Sequence, residues 1–439
     1  MNVPSPADAD DCFAPRDPAG AGGTEVQGAA AGAASPGAAR SGTTQCGTTQ
    51  CGTTQCGTTQ CDFAVPAVRD LCWLMCSPAL LSPSLFGDQL AAPVDSRCFG
   101  PDAPAGLQRL LARLDADPAP LLDALGATPE RRLGRYAEGL LAVWLQQMPD
   151  VDVVALGLPI RDAGRTLGEC DALFRTAQGG RQHWEMAVKF YLRIDDVSPE
   201  TPDSPFVPAR RESIAADPFA GCDAYVGAGL ADRLDWKLRR LVEHQMRLSE
   251  RAELVTLGGG AWQARMFVKG RLFHPLAQWR DRPAGEPDAF MNAVGRDGMR
   301  HETDIAPALA PDHLRGWWAT YDEWCGASAR SALRWTPLAR LEWLAPLPVA
   351  SPLVTARAQS AAGFANWLAE YFAHAPGVSP APDGAQPRTG RPIQVAALER
   401  VPGAGVDALG EASRGFIVPN DWPERARRFR HTGQRHHQR

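Results

Sequence analysis

The sequence has no run of the roughly 18 consecutive apolar residues that a membrane-spanning helix needs, so no membrane partner is expected. Its N-terminus, MNVPSPADADDCF, has neither a basic n-region nor an apolar h-region and does not read as a secretory signal. A cytoplasmic location is the expectation. No GxxxxGK[ST] loop is present, which leaves a nucleoside-triphosphate enzyme of the P-loop kind without support. An excess of positive charge is also missing. The net charge of −5 argues against a protein that coats nucleic acid over its whole surface, although charge can still segregate to one face.

Cysteine is not scarce, but the spacing that would make it a zinc cluster is. Four of the 11 cysteines, Cys46, Cys51, Cys56 and Cys61, fall in the repeat GTTQCGTTQCGTTQCGTTQC. A five-residue interval with no companion histidine matches no common zinc pattern. The repeat reads as a slipped tandem array in a disordered tail, and the scattered cysteines read as small core residues.

What remains is enough for a core: 439 residues, 44% hydrophobic and 22% charged, with the 42 glycines and 38 prolines gathered mainly at the ends. Residues 1–65 carry too few large apolar side chains to offset the entropy of ordering and are expected to be disordered. Helical spacing begins near AVRDLCWLMCSPALL (67–81) and continues through DAPAGLQRLLARLDADPAPLLDAL (102–125), giving a helical cap over 66–128. A core is expected over 129–280, with an irregular insertion at 194–228. A Trp-rich part follows over 281–375 and packs on that core, most of its tryptophans buried. Residues 376–439 read as a disordered tail with a basic end.

Within the core, PERRLGRYAEGLLAVWLQQMP (129–149) is the clearest helix, with Pro129 and Glu130 suited to its first turn and Pro149 ending it. Glu138 lies at the flank of its apolar stripe and can reach a cleft. VDVVALGLPIRD (151–162) and RTLGECDALFRT (165–176) read as strands, the second with Glu169 and Asp171 on one face and Cys170 and Phe174 on the other. In HWEMAVKFYL (183–192) the alternation is clear: Trp184, Met186, Val188, Phe190 and Leu192 against His183, Glu185, Ala187, Lys189 and Tyr191. It predicts a strand buried on one face and open on the other.

ADRLDWKLRRLVEHQMRLS (231–249) predicts a second long helix, with Gln245 inside the stripe Leu234, Leu238, Leu241, Leu248 and with Lys237 and His244 on one edge. WQARMFVKGRLFHP (262–275) predicts another strand, and 311–372 two helices flanking a strand.

The polar residues in odd places converge. A tight turn joins the strands of Asp171 and Glu185, so a hairpin sets the two carboxylates side by side. Their repulsion costs stability unless a cation lies between them, and Mg²⁺ or Mn²⁺ suits such an oxygen-rich, half-open arrangement. A nearby lysine can stabilise negative charge on a phosphorus centre.

An acid on a first helix, an Asp on a second strand and a Glu with a Lys on a third is the layout of the PD-(D/E)XK nuclease superfamily, whose core also runs helix, three strands, helix, strand. LGRYAEGLLAVWL, RTLGECDALF, HWEMAVKFYL, DRLDWKLRRLVEHQ and WLAPL resemble, more specifically, the uncharacterised bacterial domain-of-unknown-function family 1853 (DUF1853), which has been placed in that superfamily. The resemblance spans roughly 67–375 and is most specific from Glu138 to Lys189. It implies an α/β (α+β) fold with a restriction-endonuclease-like core: a mixed central sheet flanked by helices. It also implies a Mg²⁺-dependent (or Mn²⁺-dependent) nuclease acting on DNA or RNA. Asp171, Glu185 and Glu138 would be the metal ligands. Lys189, Lys237 and Gln245 complete the candidate site.

One departure stands out. The superfamily's Glu-x-Lys is here Glu185-Met-Ala-Val-Lys189. Along a strand, i to i+2 spans about 7 Å and i to i+4 about 13 Å, so Lys189 leans back over Ala187, a bulge shortens the gap, or the role passes to Lys237. The alternative is a catalytically inactive nuclease-fold protein that binds nucleic acid or another protein.

Overall fold

The computed structural model describes residues 63–100, 102–126, 132–195, 217–276, 306–373, 390–403 and 408–432. The GTTQC repeat, the Pro129–Glu130 helix start, most of the 194–228 insertion and the last basic residues lie outside the described residues.

The longer helices at the start of the described residues are α1 (Pro66–Cys76), with Pro66 in its first turn, α2 (Ala103–Ala116) and α3 (Ala119–Leu125). α4 (Leu133–Gln147) leads into β1 (Val151–Asp162), β2 (Arg165–Thr176) and β3 (Arg181–Arg193). Then come β4 (Tyr225–Gly227), α5 (Leu234–Arg240), α6 (Ala252–Gly258), β5 (Gln263–Pro275) and β6 (Leu314–Thr320). The C-terminal part holds α7 (Tyr321–Ser328), β7 (Arg334–Pro337), α8 (Ala361–Ala373), β8 (Ile393–Arg400), β9 (Leu409–Val418) and α9 (Trp422–Thr432).

All nine strands form one sheet in the order β1-β2-β3-β5-β6-β9-β8-β7, with β4 paired to β3. The β1–β2–β3 meander is antiparallel, β3, β5, β6 and β9 run parallel, and β8 and β7 return antiparallel. The fold is therefore a mixed α/β sheet flanked by helices. On one face, α1 and α4 cover an aromatic cluster of Trp144, Trp184, Phe174 and Phe267. On the other, Leu234, Leu238 and Leu241 pack on Tyr191, Met266, Val268 and Leu272.

This two-sided cover corrects the expected open face of β3. His183, Glu185, Ala187 and Tyr191 are all buried, because a strand in the parallel part of a sheet carries helices on both sides.

One edge of β3 is incomplete. The β2 ladder ends at Ala172↔Trp184, and β4 joins only at Tyr191↔Gly227. Among the described residues, Glu185–Phe190 has no ladder partner on that edge, while its other edge pairs with β5 throughout. β5 comes unusually close opposite Lys189. Gly270 sits at φ +152°, and a Cβ there would lie 1.8 Å from the Lys189 carbonyl oxygen, so only glycine fits.

Four other expectations are corrected. The helix predicted over 231–249 stays α-helical only over Leu234–Arg240, then opens into a π turn at Leu241–Gln245. Leu314–Thr320 of HLRGWWAT is strand β6 and not a helix: it inserts between β5 and β9 with Trp317 and Trp318 buried. Ile393–Arg400, Leu409–Val418 and Trp422–Thr432, expected within a disordered tail, form β8, β9 and α9. Leu398, Phe416, Ile417, Val418 and Trp422 are fully buried there, which supplies the burial that the flanking Pro- and Gly-rich composition obscured. The end of the insertion is ordered too, as β4.

Candidate functional site

The site grows from the place where β2 leaves β3. Beyond Ala172↔Trp184 no ladder acceptor reaches Met186, and the Asp171 carboxylate takes that role: Met186 N–H donates to Asp171 Oδ2 at 2.8 Å. Asp171 thus stands beside Glu185, one step past the last ladder pair. Burial, and then the negative charge of Glu185, push the Asp171 carboxyl well above the usual carboxylate range, with the Met186 N–H opposing.

Glu185 is completely buried, and both its oxygens are engaged. Oε2 accepts from Gln245 Nε2 at 2.8 Å, and Oε1 lies 2.8 Å from His183 Nε2. The other ring nitrogen of His183, Nδ1, lies 2.9 Å from the Ser249 hydroxyl oxygen. A carboxylate has about four lone-pair sites, so two remain for a cation.

Glu138 comes in from α4, about one-third exposed. Arg135 Nη1 holds it at 3.0 Å and reaches Glu169 at 2.9 Å. Burial raises the Glu138 pKa, against the pull of Arg135. Glu169 is therefore an ion-pair partner at the rim.

The two lysines separate. Lys189 points away from the carboxylates: its Nζ donates to Asp232 Oδ2 at 2.7 Å, and the Tyr191 hydroxyl donates to the same oxygen at 2.8 Å. Lys237 faces them. Its Nζ donates to Gln245 Oε1 at 3.0 Å, and the negative charges of Asp171 and Glu185 act on it. Burial, and then the Lys189 cation, still lower its pKa on balance.

The π turn makes this arrangement possible. In a straight α-helix, at about 100° per residue, eight residues would leave Gln245 roughly 80° round from Lys237. The Met246 N–H bonds back to the Leu241 carbonyl, five residues earlier, and the wider turn brings both side chains to one face.

The structure therefore gathers Glu138, Asp171, Glu185, Lys237 and Gln245, and it places Lys189 at one remove. Oxygen donors from two crowded carboxylates, with a third nearby, fit a hard divalent cation. Cys170 departs from the expected alternation. Its thiol approaches His183 and Glu185, all three buried, because β2 twists away at this point, while Phe174 stays with Trp184 on the other face.

Two cavities meet at Glu138. A cleft of about 990 Å³ runs along Met186–Tyr191 and includes Lys189, Asp232 and Lys237. A smaller one of about 350 Å³ is bounded by Arg135, Asp171, His244 and Gln245.

His183, Ser249 and Asp232 were not singled out from the sequence. His183 could have been, since it lies two residues before Glu185 on the same strand face. A second signal is compositional. The chain has only three lysines, Lys189, Lys237 and Lys269, among 45 basic residues. Where arginine serves nearly everywhere, the remaining lysines mark places that need a compact ammonium. Lys269 is the third, buried on the opposite face of the sheet and donating to the Ser77 carbonyl; burial lowers its pKa to about 8.

No helix among the described residues is long and apolar enough to cross a membrane. Neither the curated proteins nor the solved structures contain a match to the chain. The family model described as "Domain of unknown function (DUF1853)" matches residues 69–418, well over half of the chain. The match reaches past residue 375 to the end of β9, in keeping with one continuous sheet. The chain thus belongs to the DUF1853 family.

Proposed function

We propose that this protein is a metal-dependent phosphodiesterase of the PD-(D/E)XK type that hydrolyses nucleic acid, DNA or RNA. The observation that carries the reading is the juxtaposition of Asp171 and Glu185 with Lys237 facing both. A Mg²⁺ or Mn²⁺ ion bound there supplies a Lewis acid and an acidified water at neutral pH. Asp171 and Glu185 would hold it, with Glu138 on α4 as the third carboxylate. His183 and Gln245 fix the two oxygens of Glu185. Lys237, steadied by Gln245, offers its ammonium to the negative charge that develops on phosphorus. The α/β sheet order fits this superfamily, with the lysine supplied by the following helix instead of the strand.

Purified protein with Mg²⁺ or Mn²⁺ should shorten or nick DNA or RNA, and Asp171→Ala with Glu185→Ala should abolish this. Equal activity in the double variant rules the assignment out.

A second reading is a catalytically silent nuclease-fold binding module. It is favoured by the complete burial of Glu185 and by its two existing hydrogen bonds. Calorimetry with Mn²⁺ separates the two. Saturable binding that Asp171→Ala removes supports the enzyme; no saturable binding, with nucleic-acid binding intact, supports the module.

A further inference from the structure

The cleft along β3 has a roof that the β1–β2–β3–β5 part of the sheet does not supply. Arg340 and Trp343 come from a turn after β7, Arg391 from the entry to β8, and Arg425 from α9. With Arg132, Lys189 and Lys237 included, positive side chains in the cleft lining outnumber the negative Glu138 and Asp232. The chain as a whole is acidic, at −5, so this is a local positive island facing the carboxylate site.

The roof is also stiff where it matters. The Arg340 guanidinium stacks 4.4 Å from the Trp343 ring centroid, and Trp343 is held edge-on by Phe190 and Phe416. The indole face is thus occupied by arginine. Trp343 fixes Arg340 as a planar donor instead of serving as a platform for a base.

The shape of the cleft narrows the ligand. Glu185 has no solvent exposure, and the floor of the cleft is formed by Met186–Tyr191, with Asp171 recessed in the smaller cavity that adjoins it at Glu138. A cavity of about 990 Å³ is at the upper end of the size range for small-molecule sites. A rigid duplex carries its phosphates on the outside of a broad cylinder and cannot lower one to that floor. A single strand can, with flanking phosphates on the roof arginines and its backbone along the unpaired edge of β3.

We infer that the C-terminal part of the sheet is a clamp for a single-stranded polynucleotide, with Arg340, Arg391 and Arg425 as its phosphate contacts. This deepens the proposed nuclease reading and rests on it for the direction of the strand toward the carboxylates, but its test does not depend on hydrolysis.

The test is fluorescence anisotropy of the full chain in EDTA with three labelled probes: a single-stranded DNA 12-mer, its RNA counterpart and a blunt DNA duplex. Single strands bind at least tenfold tighter than duplex, and the DNA and RNA arms show which sugar is preferred. Arg340→Ala/Arg391→Ala/Arg425→Ala weakens single-strand binding tenfold or more. It also lowers the slope of log K against log[salt] by about 2, from about 0.7 per phosphate contact for single strands. The triple Arg→Lys variant restores most of that slope, which a folding defect would not allow.

Wild-type affinity in the triple alanine variant, duplex binding as tight as single-strand binding, or no polynucleotide binding by the wild type each overturns the clamp. If Asp171→Ala loses Mg²⁺-dependent hydrolysis while the triple alanine variant binds normally, the enzyme reading stands and the clamp falls. If no probe is hydrolysed but the clamp result holds, the reverse is true.

Discussion

Lys237 Nζ donates to Gln245 Oε1 at 3.0 Å, and the same amide donates from its other end to Glu185 at 2.8 Å. One glutamine thus couples the lysine to a buried carboxylate across the gap above Ala187. Ala187, two residues after Glu185, is small and buried, and the ammonium that faces the carboxylates is that of Lys237 on α5.

This relationship decides between the lysines. Lys237→Ala should reduce hydrolysis by a factor of 100 or more, whereas Lys189→Ala should change it severalfold, because Lys189 is paired with Asp232. Single-turnover rates of the two variants are the measurement. The opposite ranking would return the role to the strand lysine. Gln245→Leu should fall between them, about 10–100-fold, in the range found when outer-shell partners of a metal site are removed.

His183 holds Glu185 from the side opposite Gln245. His183→Phe keeps the volume and removes the donor. It should weaken Mn²⁺ binding about 10–100-fold in calorimetry, with His183→Gln recovering part of it. Unchanged Mn²⁺ affinity in His183→Phe would show that the imidazole is only packing.

Asp171 gives a pH signature. Its carboxyl is raised in the folded protein by burial and by Glu185. The stability contributed by the neutral form is fully present below the ordinary aspartate pKa and is lost as pH rises through the folded value. In EDTA, Asp171→Asn should therefore unfold at higher temperature than wild type at pH 8 and at nearly the same temperature at pH 4. With Mn²⁺ at pH 8 the order should reverse, since only the ionised carboxylate gains from the cation. Thermal unfolding at the two pH values, with and without Mn²⁺, checks both halves.

Asp70 supplies a second pH test, outside the carboxylate cluster. It is buried in α1, accepts the Tyr136 hydroxyl at 2.8 Å and the Ala345 N–H at 3.2 Å, and burial raises its pKa to about 7. Being a raised acid, it contributes stability below the unfolded value of 3.8 that is lost as pH rises toward 7 and beyond. Denaturant titrations should show wild type losing a few kcal/mol relative to Asp70→Asn between pH 4 and pH 8, at about 1.4 kcal/mol per pKa unit. Parallel pH profiles would contradict this.

The sequence was most legible where periodicity is local. β1, β2, β3 and β5 fall where alternation and turn residues place them, and the hairpin sets Asp171 beside Glu185 as the turn implies. Legibility failed where a neighbour decides the outcome. HLRGWWAT falls in a stretch expected to be helical; it is a strand because β5 and β9 lie on either side. β8 and β9 were hidden because their burial depends on partners far away in the chain. The Cys170 thiol turns toward Glu185 because β2 parts from β3 there, a divergence that strict alternation does not encode.

By itself the sequence determined the mixed α/β character of the core, the order of its acids and the absence of a lysine two residues after Glu185. Those follow from side-chain period, turn chemistry and spacing, which act over a few residues. Only the tertiary structure decided which lysine faces the carboxylates, because that rests on a π turn and on how α5 packs across β3. It alone buried the face of β3 that alternation left open, since exposure is a property of what covers a strand. It alone brought Arg340, Arg391 and Arg425 to the cleft that Lys237 lines, because they come from segments far from β3 in the chain.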